Sequence, residues 1–259
     1  MRLAGKIALV TGGGRGIGRA IALALAREGA HVAVSARTAA EIERVAAEIE
    51  ALGRQGFAVP CDVTRAAQVR SMVEAVCGRL GRIDVLVNNA GAGESAPFLK
   101  TDLEMWNRML ALNATAVYVV TRAVAQGMLA RGYGRIINIV STAGKIPFRY
   151  CTAYVASKHA ALGFTRALAL ELAGSGVTVN AICPGWVGST GLFEATVANI
   201  VRATGRGAPE AAQALADMSP QKRLMEPGEV AHVALMLAAD EAGAITGQGI
   251  NVCGCAVMD

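Results

Sequence analysis

Short, nearly uninterrupted apolar runs alternate along this chain with longer stretches whose apolar residues return every three or four positions. Runs of the first kind predict strands at Lys6–Thr11, Ala30–Ser35, Gly56–Cys61, Ile83–Val87, Arg135–Val140, Val177–Cys183 and Ile250–Cys253. Stretches of the second kind predict helices at Gly16–Glu28, with Ile17, Ala20, Ile21 and Ala24 on one face, and at Ala39–Leu52 and Ala66–Leu80. Further helices are expected near Thr101–Leu112, Ala114–Arg131, Thr152–Ala173 and Pro227–Ala238. Strands that are apolar throughout, rather than at alternate positions, suit a parallel sheet covered on both faces. Strand–helix alternation from end to end then predicts an α/β fold, a doubly wound (Rossmann) parallel sheet of about seven strands with helices on both faces.

The rhythm breaks only between Gly188 and Pro227, where Gly, Pro and Met interrupt a weak helical pattern. No Pro- or Gly-rich linker and no repeat divides the chain, so residues 1–259 are expected to form one domain with 188–227 as a substrate lid. Leu192, Phe193, Met218, Leu224 and Met225 of that segment either line an apolar pocket or pack into the core.

Composition changes this picture little. Hydrophobic residues make up 53% of the chain and charged residues 17%, enough apolar material for one large core. No uncharged apolar stretch reaches the roughly 18 residues of a membrane span, and the first residues carry no cationic leader, so a cytoplasmic protein is expected. The net charge of +5 is scattered singly, which argues against nucleic-acid binding. Of six cysteines, Cys61, Cys183 and Cys253 lie in apolar runs and read as buried hydrophobes in a reducing compartment. Cys253-Gly254-Cys255 has the wrong spacing for a zinc or thioredoxin-type motif, and no metal site is expected.

Candidate chemistry begins after the first strand, at Thr11-Gly12-Gly13-Gly14-Arg15-Gly16-Ile17-Gly18. Glycines let backbone turn tightly and approach phosphate, and a helix starting inside the loop offers free N–H groups to a pyrophosphate. The second strand ends near Arg37, where a binder of NAD usually has an acid for the ribose 2′-hydroxyl. Arg15 and Arg37 suit a 2′-phosphate instead, which favours NADP(H) over NAD(H). Asp62, beside Val63, either accepts from the adenine amino group or caps the next helix together with Thr64.

At the other end of the pattern, Ser141 follows the fifth strand, Tyr154 stands thirteen residues on, and Lys158 is four further. Positions i and i+4 share a helix face, so Lys158 lies beneath Tyr154. The phenol is a donor for an oxygen that gains negative charge, and a nearby ammonium lowers its ordinary pKa of about 10. His159 faces away from this stripe and is expected to be surface or packing.

With these residues in hand, the chain resembles the short-chain dehydrogenase/reductase family over essentially its whole length. The Thr11–Gly18 loop, Asn88-Asn89-Ala90-Gly91, Asn113, Ser141, Tyr154–Lys158 and Pro184-Gly185 match that family's motifs in order and spacing. The resemblance implies Tyr154 as general acid and base, Lys158 on the nicotinamide ribose, Ser141 polarising the carbonyl, and Asn113 holding a water in a relay through Lys158. It places Asn89, Ala90 and Gly91 by the adenosine-side ribose and the Val187 backbone on the carboxamide. The family's usual threonine beyond is shifted, so Ser189 or Thr190 takes its place. Cys253-Gly254-Cys255 stands where paired glycines are common.

Ser141–Lys145, Ala156–His159 and Asn251–Gly254 are most similar to reductases of β-ketoacyl thioesters, aromatic polyketide ketoreductases included. That resemblance implies a ketone substrate carried on acyl carrier protein or coenzyme A, with Arg131, Arg135 or Arg149 meeting its phosphate. It also implies a homotetramer or dimer built on the helices at Ala114–Arg131 and Thr152–Ala173. A dehydrogenase of a small secondary alcohol, sugar, steroid or cyclic diol is the alternative, and a cofactor-binding subunit without turnover is a third.

Overall fold

Every residue of the strands Ile7–Thr11 (β1), Val85–Asn88 (β4) and Val177–Pro184 (β6) is buried, as apolar strands sandwiched between helical layers must be. The computed structural model describes residues 1–258. With His31–Ala36 (β2), Gly56–Pro60 (β3), Gly134–Ile139 (β5) and Gly249–Val252 (β7), these strands form one parallel sheet in the order β3-β2-β1-β4-β5-β6-β7. The expected seven strands and doubly wound sheet are therefore found, with boundaries moved by one or two residues.

Successive side chains of each strand feed opposite layers. Val10 and Val34 face a core shared with Gly16–Arg27 (α1), Ala39–Ala51 (α2) and Pro227–Ala238 (α9). Leu9 and Ala33 face the other core, shared with Ala66–Leu80 (α3), Ala116–Arg131 (α5) and Thr152–Glu171 (α6). Burying two complete apolar faces is the main driving force for this arrangement. Cys61, Cys183 and Cys253 are buried thiols, in line with their apolar settings.

The helix expected from Thr101 begins instead at Leu103 (α4, Leu103–Leu110), because the Asp102 carboxylate accepts from the Met105 N–H at 2.7 Å and caps it. No break separates it from α5. A π-helical turn, Ala111–Thr115, joins the two and contains Asn113. Such turns insert an extra residue into a helix and are frequent at functional sites.

Gly188–Pro227, the segment outside the rhythm, holds two helices, Gly191–Thr204 (α7) and Ala208–Asp217 (α8). α7 has no buried side chain along its length. Met225 joins the main core, and Val187 and Met225 pair as an isolated parallel bridge that fixes the segment's two ends. Among the described residues, no helix is long and apolar enough to cross a membrane, and no group of three or more His, Cys, Asp or Glu side chains is disposed to hold a metal.

Candidate active site

The sheet order reverses between β1 and β4, so their carboxyl ends splay apart and open a crevice. The glycine loop leaves β1 there and Asn88–Gly91 leaves β4. Two staples hold these ends together. The Thr11 hydroxyl accepts from the Asn89 and Ala90 N–H groups at 3.1 and 3.2 Å and donates to Val87 O. Asn89 Nδ2 donates to the carbonyls of Thr11 and Gly12 at 3.1 and 3.0 Å. The Asn89 side chain, expected by a ribose, is therefore committed to the loop itself.

The loop's glycines are required by space. Gly12 has φ +62°, and a Cβ there would stand 2.8 Å from Asn89 Nδ2. A Cβ on Gly18 would stand 2.1 Å from Gly12 O, so only glycine lets α1 begin this close to the turn. The cap residue Arg15 offers no side-chain acceptor to the first N–H groups of α1. Those donors remain for an anion such as a pyrophosphate, and the cradle fits a dinucleotide.

Arg15 and Arg37 are both exposed on the crevice rim. Arg15 lies 4.0 Å from Glu41, a loose surface pair. Arg37 lies near enough to Asp62 to help hold that carboxyl below its usual range, after the larger effect of hydrogen bonds from Thr64. Asp62 Oδ1 accepts from the Thr64 N–H and hydroxyl at 3.0 and 2.7 Å, which closes a local turn. Asp62 does not cap α3: the residue at that cap is Arg65, without a side-chain bond. Val63 is buried beside it.

Ser141 stands two residues past β5, where its Oγ accepts from Ala143 N–H at 3.1 Å and caps a short 3-10 turn. The same hydroxyl is hydrogen-bonded to the Tyr154 phenol. The Tyr154 side chain keeps part of its ring at the surface while its hydroxyl end is enclosed. Burial pushes the phenol up to about 12, against the downward pull of the Ser141 bond. Lys158 is 6% exposed, its Nζ donates to Ile139 O at 3.1 Å, and it lies 5.8 Å from the centre of the Tyr154 ring. Burial brings its ammonium down to about 8. The downward pull on the phenol expected from Lys158 is thus supplied here by Ser141.

Asn113 is 1% exposed. Its amide accepts from Ala92 N–H at 3.2 Å and donates to Ala92 O at 2.9 Å and to Ser157 Oγ at 3.1 Å. Ser157, which the sequence reading passed over, stands three residues past Tyr154 and donates to its carbonyl. That i+3 spacing beside the Tyr–Lys pair was the available signal. A Cβ on Gly91 would stand 3.0 Å from Asn113 Oδ1 and 3.5 Å from Lys158 Nζ, so both groups border the space over this glycine.

Pro184, the last residue of β6, is buried; beyond it Gly185 packs against Cys253, and the Val187 carbonyl accepts from Thr190 Oγ1 at 2.9 Å. Thr190, not Ser189, lies against the glycine loop. A Cβ on Gly16 would come within 3.3 Å of its methyl, and Ser189 is exposed with φ +54°. Two of the three arginines expected to meet a substrate phosphate are at the wrong end of the sheet. Arg131 donates to Ile83 O, and the buried Arg135 bonds the carbonyls of Gly134, Gly176 and Ala239, all before or at the amino ends of strands or past a helix end. Arg149 is exposed three residues before α6 begins. His159 is exposed and bonds Val155 O within its own helix.

The family model for short chain dehydrogenases matches residues 6–200. The putative ketoacyl reductase 1 of the granaticin polyketide synthase of Streptomyces violaceoruber is 42% identical, over 96% of this chain and 92% of its own. The 3-oxoacyl-[acyl-carrier-protein] reductase of Synechocystis sp. is 41% identical, over 99% and 98%. A solved structure of an actinorhodin polyketide ketoreductase variant with NADPH superposes with a TM-score of 0.92 at 40% identity, covering 96% of each chain. The glycine crevice, the Ser141–Tyr154–Lys158 cluster and these matches together make the chain a member of the short-chain dehydrogenase family.

Proposed function

We propose that this protein is an NADPH-dependent ketoreductase that converts the ketone of a β-ketoacyl thioester or polyketide chain to a secondary alcohol. The carrying observation is the convergence of the Tyr154 phenol, the Ser141 hydroxyl and the buried Lys158 ammonium at the carboxyl edge of the sheet, beside the glycine cradle. Bound NADPH supplies the hydride. The loop Gly12–Gly18, Asn89–Gly91, Val63 and the Pro184–Val187 turn line its crevice, and Arg15 and Arg37 carry charge suited to its 2′-phosphate.

Ser141 donates to the ketone oxygen and holds it against the phenol. Tyr154, neutral well beyond physiological pH, delivers the proton as the oxygen becomes an alkoxide. Lys158 holds positive charge beneath the phenol below about pH 8 and steadies the ribose. Asn113 Oδ1 and Lys158 Nζ flank the space over Gly91, where a water would link them into a proton supply. Segment 188–227 serves as the lid, and Arg149 meets the phosphate of a carrier-bound substrate. Relatives named for polyketide synthesis and for acyl-carrier-protein substrates support the substrate class.

The outer faces of α5 and α6 leave apolar groups exposed, with Tyr118 and Phe164 in edge contact at 6.1 Å. These faces join copies of the chain into a dimer or homotetramer, which sedimentation would read directly. Initial rates with a β-ketothioester, simple ketones and secondary alcohols, each with NADPH and NADH, test the whole reading. Faster turnover of simple alcohols than of any ketothioester would refute it.

A further inference from the structure

No side chain of α7 is buried; the helix packs along its length beside α8 and meets the rest of the fold at its amino end. Gly93, the second residue after Gly91, meets it there. A Cβ on Gly93 would stand 2.8 Å from Leu192 Cδ1 and 3.5 Å from Cδ2 and Cε2 of the Tyr154 ring. Gly93 does not have a positive φ, so backbone conformation does not demand glycine here; space does.

The loop carrying Gly93 is fixed on its other sides. Ala92 is bonded twice to Asn113, Glu94 is paired with Arg108 through two bonds, and Ala96 N–H donates to Tyr150 O at 2.8 Å. Leu192, by contrast, is 38% exposed. A fixed wall without a side chain thus faces a half-exposed leucine at the entry to α7, with the edge of the Tyr154 ring beside the same point.

We propose that Leu192, seated on Gly93, is a size gate beside Tyr154: it leaves room for a linear 3-oxoacyl chain and must swing aside for a ring-bearing ketone. The gate rests on the ketoreductase reading for its substrates, while the seat itself is a property of the folded chain. Removing the isobutyl group widens the passage. Adding a methyl at position 93 leaves ordinary contact with the tyrosine ring but forces the leucine end off its seat. A methyl at 93 and an alanine at 192 fit together.

Two measurements test this. The first is the ratio of kcat/KM for a bicyclic ketone to that for an unbranched 3-oxoacyl thioester, with NADPH. Leu192→Ala raises the ratio about tenfold, the scale of one apolar group in a pocket, and the double variant Gly93→Ala/Leu192→Ala brings it back toward the parent value. A ratio unchanged within about twofold in Leu192→Ala overturns the gate. The second is amide hydrogen exchange of a peptide spanning 190–204, which needs no turnover. Gly93→Ala speeds exchange in the first turn of α7, and adding Leu192→Ala slows it again. Unaltered exchange in Gly93→Ala overturns the seat. A parent protein inactive on both ketones would count against the ketoreductase reading, and the exchange result would still decide whether Leu192 sits on Gly93.

Discussion

Asn113 Nδ2 donates to Ser157 Oγ, and Ser157 Oγ donates to the Tyr154 carbonyl at 2.7 Å, so the π turn between α4 and α5 is tied to the helix that carries the phenol. Asn113→Ala removes this tie and strips both backbone groups of Ala92 of their partner. Each buried polar group left unpaired costs about 1–3 kcal/mol. We expect a loss of about 2–4 kcal/mol in denaturant melts. With Tyr154 and Lys158 displaced by about 1 Å, kcat is expected to fall about 100-fold. A variant with full kcat would show that the tie has no bearing on the reaction.

Tyr154→Phe keeps the ring and removes the proton donor of the proposed mechanism. The enclosed hydroxyl is lost together with its bond to Ser141, so stability changes by no more than about 1 kcal/mol. Ketone reduction is expected to drop at least about 1000-fold in kcat, while NADPH affinity, read by fluorescence titration, stays within about threefold. Retained turnover would remove the phenol from the proposed mechanism.

Lys158 makes two pH-dependent predictions. Burial lowers its pKa from 10.5 to about 8, so above about pH 8 the charge beneath Tyr154 is lost while the phenol, near 12, keeps its proton. Reduction rates are therefore expected to be level to about pH 8 and then fall with the slope of one proton. For stability the sign is the reverse of a cation with a raised pKa. The unfolded chain holds this proton up to 10.5 and the folded chain only to about 8, so stability rises with pH across that window. Lys158→Met removes a buried charge. At pH 7 it should stabilise the fold by on the order of 2 kcal/mol while abolishing activity, and the gain should shrink by pH 10.5. Equal melting shifts at both pH values would contradict the burial argument.

Arg37→Asp reverses the charge at the end of β2, beside Asp62. A guanidinium bond to phosphate is worth about 1.5–3 kcal/mol, so KM for NADPH should rise about 10- to 100-fold. The new carboxylate also accepts from a ribose 2′-hydroxyl, so KM for NADH should fall. Unchanged discrimination between the two would place the 2′-phosphate elsewhere.

Most of this site was legible because its elements are set by local chemistry. An apolar strand followed by glycines can only turn tightly, and a tyrosine and lysine four apart share a helix face whatever surrounds them. The failures were of long-range origin. Nothing local separates Thr190 from Ser189; the approach of Thr190 to Gly16, some 170 residues away in sequence, does. The π turn at Asn113 follows from the amide's bonds to Ala92 and Ser157, on other elements. Arg135 looked available because charge is usually solvated. It is the second residue of β5, at the sheet's amino edge, where three carbonyls from separate elements accept its guanidinium.

The two staples between β1 and β4 separate a structural role for Asn89 from direct contact with cofactor. Asn89→Ala frees the carbonyls of Thr11 and Gly12, and Thr11→Val frees the N–H groups of Asn89 and Ala90. Both changes loosen one junction, the place where the glycine loop is held open. Each is expected to raise KM for NADPH about tenfold, as about 1.4 kcal/mol of preorganisation is lost, with kcat at saturation kept within about threefold. Because the two act on the same junction, their combined effect should fall short of the sum of the separate ones. Full additivity would mean that Asn89 and Thr11 act independently. An unchanged KM in Asn89→Ala would mean that the loop holds its shape without the amide, through its glycine packing alone.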